Sequence, residues 1–220
     1  MRPFVIIPAY NEAKHLGDVI TRTNKFCKDI IVVDDGSRDK TRAVAKAGNA
    51  VVLTHLVNLG KGAALKTGCD FAISHGADIL IALDADGQHD PEEIPRFLAG
   101  LQEGSSIVFG IRQFNQAMPL VLRFGNWAIS LCANLLYHVR LSDTQCGYRA
   151  FTREAYGKIR WNSSDYSMES EIVAKTGRER LKYSQIPITT VYSDKYKGTT
   201  VLDGIRIMIN MVFWWFRFVI

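Results

Sequence analysis

Residues 79–91 read ILIALDADGQHDP: five apolar residues, two aspartates one residue apart, a Gly-Gln-His turn and an Asp-Pro step. Five consecutive apolar side chains bounded by turn residues fit a strand buried on both faces. Asp90 ahead of Pro91 is the pattern of a helix start, with the aspartate as cap and the proline in the first turn. In an extended chain residues two apart project to one side, so the carboxylates of Asp84 and Asp86 converge just beyond the strand.

The same unit recurs on both sides of this stretch. Residues 3–7, 30–33, 51–54 and 107–109 are short apolar runs, and 14–26, 40–47, 61–74 and 91–101 carry helical patterns that follow or separate them. This alternation predicts right-handed crossovers, a mainly parallel sheet and helices on both faces: an α/β, Rossmann-like class. An open parallel sheet binds ligands beyond the carboxyl ends of its strands, and that is where Asn11, Glu12 and the segments 34–37 and 84–90 fall. After Gly110 the alternation fades: 120–137 reads as a long apolar helix, 147–151 and 183–191 as strands.

Composition narrows the class. With 220 residues, 47% hydrophobic and 22% charged, the chain is globular, neither disordered nor a small disulfide scaffold. It shows no repeat and no linker, so 1–200 is expected to form one domain and 201–220 an amphipathic extension. Cys27, Cys69, Cys132 and Cys146 lie far apart, without zinc spacing, and are expected to be reduced thiols. The apolar run at the start stops at Pro8 without a cleavage site, so no secretory signal is expected. Net charge is +5, with 14 Lys/Arg against 14 Asp/Glu in residues 1–139 and 13 against 8 in 140–220. An excess in the last third suits a phosphate ligand or an anionic membrane and is too dispersed for nucleic acid.

Two carboxylates with the amide of Gln88 nearby form an oxygen site suited to Mg²⁺ or Mn²⁺; the competing reading is an acidic turn, and for Asp90 the cap is preferred. Asp34 and Asp35, in DDGS, end a strand where acids can bond a nucleobase or ribose while Ser37 starts the next helix; a plain turn uses the same residues. At 60–67, GKGAALKT departs from a P-loop because Leu65 stands where a second glycine is required, which excludes an ATPase; Lys61 and the amides of that helix start remain suited to a diphosphate. The lack of GxGxxG after the first strand counts against a dinucleotide oxidoreductase. At the C-terminus Asp203, Arg206, Asn210 and Arg217 share about 60° of a helical wheel. A helix over 205–220 would span about 24 Å, short of the roughly 30 Å hydrocarbon core, so it is expected to lie in the membrane interface. The competing reading packs it in a homodimer or against the core.

Taken together, IPAYNE (7–12), VVDDGS (32–37), NLGKGAALKTG (58–68), DADGQHDP (84–91) and QCGYRAF (145–151) resemble family 2 glycosyltransferases, most nearly the dolichyl-phosphate mannose synthase branch of polyprenyl-phosphate glycosyltransferases. The resemblance implies a GT-A fold, a nucleotide-sugar donor such as GDP-mannose or UDP-glucose, Mg²⁺ or Mn²⁺, inversion at the anomeric carbon and a polyprenyl phosphate acceptor. It places Pro8, Tyr10, Glu12, Asp34, Asp35 and Lys61 around the donor with Ala85, and gives the metal to Asp84, Asp86 and Gln88. Arg112 and Arg123 would hold the acceptor phosphate, so that Asp86, Arg112 and Arg123 act at the reacting groups. A lipid monophosphate is largely dianionic at pH 7 and needs no base; a hydroxyl acceptor would need one, and Glu169 or Glu171 in SMESEI is the rival candidate, against a reading as first-turn helix acids. Residues 192–200 read as a loop over the lipid phosphate or a plain surface loop. The whole implies a peripheral enzyme on the cytoplasmic face of a membrane.

Overall fold

The computed structural model of the protein describes residues 1–112, 120–189 and 201–219, with backbone alone for 120–124, 201–203 and 217–219. Seven short strands pair into one sheet: β1 (Pro3–Ala9), β2 (Ile30–Asp34), β3 (Val51–Thr54), β4 (Ile79–Ala82), β5 (Ile107–Arg112), β6 (Arg149–Thr152) and β7 (Tyr183–Ile188). Their order is β3-β2-β1-β4-β6-β5-β7. Pairing is parallel throughout except at β6, which runs antiparallel to both β4 and β5.

The pleat divides the sheet into two cores. Phe4, Ile6, Ile31, Val33 and Leu80 meet helices α3 (Lys61–Ser74), α5 (Leu120–Tyr137), α6 (Arg153–Ile159), α7 (Ser167–Arg178) and α8 (Val201–Val219). Val5, Ile7, Ile30, Val32 and Ile81 meet α1 (Leu16–Thr23), α2 (Thr41–Ala47) and α4 (Ile94–Gln102) on the opposite face. Strands covered on both sides are continuous apolar runs because neither face sees water. This is the mainly parallel α/β sheet with helices on both faces that the sequence predicts.

Several boundaries differ, each for a local reason. The helix expected over 91–101 is split: Asp90 accepts the Glu92 amide, Pro91–Glu93 forms one 3-10 turn, and α4 follows at Ile94. Ser37 does not start a helix: its hydroxyl accepts the Asn11 amide, and α2 begins at Thr41, whose amide Asp39 accepts. β6 falls on the strand expected at 147–151, but its antiparallel direction and helix α6 have no counterpart in the simple alternation. The C-terminal helix shares the main core through Ile207 and Met211, and Tyr137 donates its hydroxyl to the Met211 carbonyl at 2.5 Å. Its outer side exposes Ile205, Ile209, Phe213 and Phe216. Among the described residues no helix is long and apolar enough to cross a membrane.

Helix α3 lies closest to the sheet at Gly68, where a Cβ would fall 2.4 Å from Ile6 Cγ2 and 3.0 Å from Val33 Cγ2. Gly68→Ala therefore overpacks the core and is expected to destabilise by about 1–3 kcal/mol, read as a lower midpoint in chemical denaturation.

Candidate functional site

A cavity of about 520 Å³ opens beyond the carboxyl ends of β1, β2, β4 and β5. The antiparallel β6 brings its amino end to the same edge, so Gln145 and Gly147 close the cavity beside Arg112. The end of β1 supplies Pro8, Tyr10, Asn11 and Glu12; the turn after β4 supplies Asp84, Ala85, Asp86, Gln88 and His89; the start of α3 supplies Gly60 and Lys61; and the approach to α7 supplies Asp165, Tyr166 and Glu169. Of the residues singled out on sequence, Pro8, Tyr10, Glu12, Asp35, Lys61, Asp84, Ala85, Asp86, Gln88 and Arg112 all line it.

Asp34 is not among them. Its carboxylate accepts the Ser37 amide at 3.0 Å and caps the turn; as the last strand residue its side chain alternates away from that of Asp35. Asp35 faces the cavity, and its oxygens also accept from the amides of Leu59 and Gly60 at 2.9 and 2.8 Å and contact His55 Nδ1 at 2.6 Å. His55 in turn meets Thr67 Oγ1 at 3.0 Å, so a histidine absent from the sequence reading fixes this carboxylate. The amides of Gly60 and Leu59 are thus taken, and that of Ala63 donates to the Ser164 carbonyl at 3.1 Å. The expected amide cradle at the start of α3 is therefore occupied in large part by protein, because Gly60 and Gly62 let residues 163–165 approach where a Cβ would lie 2.4–2.5 Å from their carbonyls.

Lys61 is the positive centre. Its Nζ lies 2.8 Å from Asp84 Oδ1 and 3.1 Å from Glu169 Oε1. Burial disfavours the ammonium, but Asp84 and Glu169 outweigh it and hold its pKa above the ordinary lysine value. Burial also works against the Asp84 carboxylate; Lys61 and His89 reverse this and lower it to about 2. For Asp86 the Gln88 amide, 3.0 Å from Oδ1, and the more distant Lys61 do not suffice: burial and the Asp84 charge push it up to about 6. His89 is pushed down to about 4 by burial, and its Nδ1, 3.6 Å from Asp84 Oδ2, is buried without a hydrogen-bond partner. Gly147 makes room for the pair: a Cβ there would lie 2.7 Å from both Asp84 Oδ2 and Lys61 Nζ.

Two neighbouring carboxylates, one held ionised and one raised by burial and by its neighbour, fit a hard divalent cation, which prefers such oxygens. Among the described residues no three His, Cys, Asp or Glu side chains form a ready cage, so the remaining ligands would come from Gln88, water and the phosphates of a bound molecule.

Arg112 is held by Asp143, with Nε 2.6 Å from Oδ2 and Nη2 3.0 Å from Oδ1. Such a fork fixes the guanidinium plane, and no sequence signal marked Asp143 as its partner. The side chain of Arg123 lies outside the described residues, as do 192–200 and the side chains of Asp203 and Arg217. The rival bases separate: Glu171 accepts from the amides of Asn162 and Ser163 at 2.9 Å and pairs with Lys175 at 2.9 Å, so it clamps a loop away from the cavity, whereas Glu169 lines it.

Comparison with known proteins identifies the family and the fold. The sequence model of Glycosyl transferase family 2 matches residues 4–167. A UDP-N-acetylglucosamine--dolichyl-phosphate N-acetylglucosaminyltransferase of Methanococcus voltae is 31% identical, over 95% of this chain and 94% of its own. A polyprenol monophosphomannose synthase of Mycolicibacterium smegmatis is 30% identical, over 94% and 83%. Glucosyl-3-phosphoglycerate synthase of Mycobacterium tuberculosis, solved with Mn²⁺, UDP and glucosyl-3-phosphoglycerate, shares the fold with a TM-score of 0.73 at 21% identity, covering 97% of this chain and 79% of that one.

Asp86 carries the testable strain. A carboxyl raised to about 6 by the fold is penalised when ionised: the penalty is full above that pH and absent below about 4, where folded and unfolded chains are both protonated. Asp86→Asn is expected to stabilise the protein in EDTA at pH 8 by about 2 kcal/mol, and the gain should fade as the pH falls toward 4 in a series of thermal melts.

Proposed function

The chain belongs to glycosyl transferase family 2, and from that membership we propose that it moves a hexose from a nucleotide sugar to a polyprenyl phosphate, inverting the anomeric carbon, at the cytoplasmic face of a membrane. The observation that carries this reading is the engagement of both acids placed to serve as a base. Glu171 is bonded to the loop at 162–163, and Glu169 is paired with Lys61. A site arranged in this way suits an acceptor that brings its own negative charge. A lipid monophosphate does so, with a second pKa of about 6. The names of the relatives from Methanococcus voltae and Mycolicibacterium smegmatis, which carry dolichyl phosphate and polyprenol monophosphomannose, support the same acceptor class.

The chemistry is a single displacement. A phosphate oxygen of the acceptor forms the bond to the anomeric carbon while the bond to the donor diphosphate breaks, and the electron pair leaves with the nucleoside diphosphate. Attack opposite the leaving group inverts the centre. Asp84 and Asp86, with Gln88, would hold the divalent cation, which supplies Lewis-acid neutralisation of the departing diphosphate. Lys61 adds a positive charge to the same region, and stabilising developing charge in a preorganised site is where most of the rate is gained. Arg112, its plane set by Asp143, orients the acceptor phosphate with Arg123. Pro8, Tyr10, Glu12, Asp35 and Ala85 surround the donor.

Docking to the lipid falls to α5 and α8. On these packed helices Trp127, Leu131 and Leu135, and Ile205, Ile209, Phe213 and Phe216, recur every three or four residues and are exposed. Aromatic and aliphatic side chains in such stripes, with basic residues at hand, fit the boundary between headgroups and acyl chains.

The decisive assay offers radiolabelled GDP-mannose, UDP-glucose and UDP-N-acetylglucosamine separately with polyprenyl phosphate. Label should enter the organic phase from one donor, vanish with EDTA, and fall about a hundredfold or more in Asp84→Asn and Asp86→Asn. A water-soluble product would move the acceptor to a hydroxyl compound and make Glu169 the base; donor binding with no transfer would make the chain a binding partner. In a second experiment, the Ile209→Glu/Phe213→Glu double variant is expected to lower sedimentation with anionic phospholipid vesicles about tenfold.

A further inference from the structure

Lys61 is paired with two carboxylates, and one of them is needed elsewhere. On the reading that Asp84 and Asp86 hold a divalent cation, the ammonium now 2.8 Å from Asp84 Oδ1 sits on a cation ligand. A divalent ion on the same carboxylate repels it at short range in a poorly solvated site. Lys61 cannot retreat toward residue 147, because the backbone there is packed so closely that even a Cβ would lie 2.7 Å from Nζ. On its other side stands Glu169, with Oε1 already 3.1 Å away. Glu169 is 2% exposed, and its second oxygen, Oε2, is buried without a hydrogen-bond partner. Folded proteins rarely leave a buried carboxylate oxygen unsatisfied, and such an atom calls for an explanation.

We propose that Lys61 is a built-in occupant of the cation site and Glu169 the positioning residue that receives it: Lys61 neutralises Asp84 while the site holds no cation, and moves fully onto Glu169 when the cation takes Asp84. The unpartnered Oε2 is the acceptor kept for that second position. No bond is made or broken and no proton moves; one ammonium exchanges carboxylate partners. Arrival of the cation then leaves Lys61 beside the cavity rather than on a ligand. The face of Tyr166, whose ring centre is 5.9 Å from Nζ, borders the same space and tolerates a cation in either position.

The inference rests on the cation reading, so its test measures Mn²⁺ binding to the full chain without donor, by loss of the free-Mn²⁺ paramagnetic resonance signal, with circular dichroism confirming the fold of each variant. Lys61→Met removes the competitor and should tighten Mn²⁺ about tenfold, Glu169→Gln removes the alternative partner and should weaken it about fivefold, and the double variant should match Lys61→Met within about twofold. Should Lys61→Met fail to fold, Lys61→Arg carries the test: a guanidinium pairs more firmly with Asp84 and should weaken Mn²⁺. Equal weakening by Glu169→Gln with and without Lys61 would mean that Glu169 acts on the cation directly and would overturn the exchange. Unchanged affinity in every variant would overturn it too, leaving the cation reading intact. A wild-type chain that binds no Mn²⁺ would overturn both.

Discussion

The second half of the molecule hangs on a buried guanidinium. Arg149, the first residue of β6, is 2% exposed and donates to the carbonyls of Thr144, Cys146 and Glu169, each at 2.9 Å. Removing a guanidinium from water is costly, and three charge-assisted bonds to backbone carbonyls offset that cost. The consequence is geometric: the segment 144–146, which brings Gln145 and Gly147 to the cavity, and the first turn of α7, which carries Glu169, are fastened to one rigid group. Glu169 can therefore face Lys61 although 108 positions separate them in sequence. A further tie comes from Gln145, whose Nε2 donates to Ser170 Oγ at 2.8 Å.

Half of this site could be read without a structure. Where a buried strand ends, the next residues are the first to meet solvent or ligand, so polar groups at 10–12, 35 and 84–88 identify themselves by following apolar runs. That logic fails where a side chain's partner is distant in sequence. Asp143 is 31 residues from Arg112, and nothing in its neighbourhood announces a fork. Asp34 and Asp35 are adjacent and equally acidic; only the alternation of the strand, and the demand of the Ser37 amide, sends one to a turn and the other to the cavity. Glu169 and Glu171 share a helix, and they differ because loop 162–163 leaves its amides open to Glu171. A strand at 147–151 was legible, but the direction of β6 was hidden: four residues are too few to carry one, and its register against β4 and β5 is set by tertiary pairing.

The charge balance of the cavity bears on the order in which ligands enter. Glu12, Asp35, Asp84, Asp86, Asp165 and Glu169 line it against Lys61 and Arg112, although the chain as a whole carries +5. Arg112 is further neutralised by Asp143. On the proposed function, a nucleoside diphosphate arriving alone would meet an acidic cavity and be repelled by it. On the proposed function, the basic excess of residues 140–220 would serve a different ligand, an anionic surface. The separation has a functional logic. A positively charged cavity would hold a diphosphate product as firmly as its substrate, whereas on the proposed function an acidic cavity would favour a diphosphate accompanied by a divalent cation and would release both more readily after transfer. The Asp86 carboxyl, raised by burial and by the Asp84 charge, fits the same reading: a cation shared by the two carboxylates would relieve the repulsion between them.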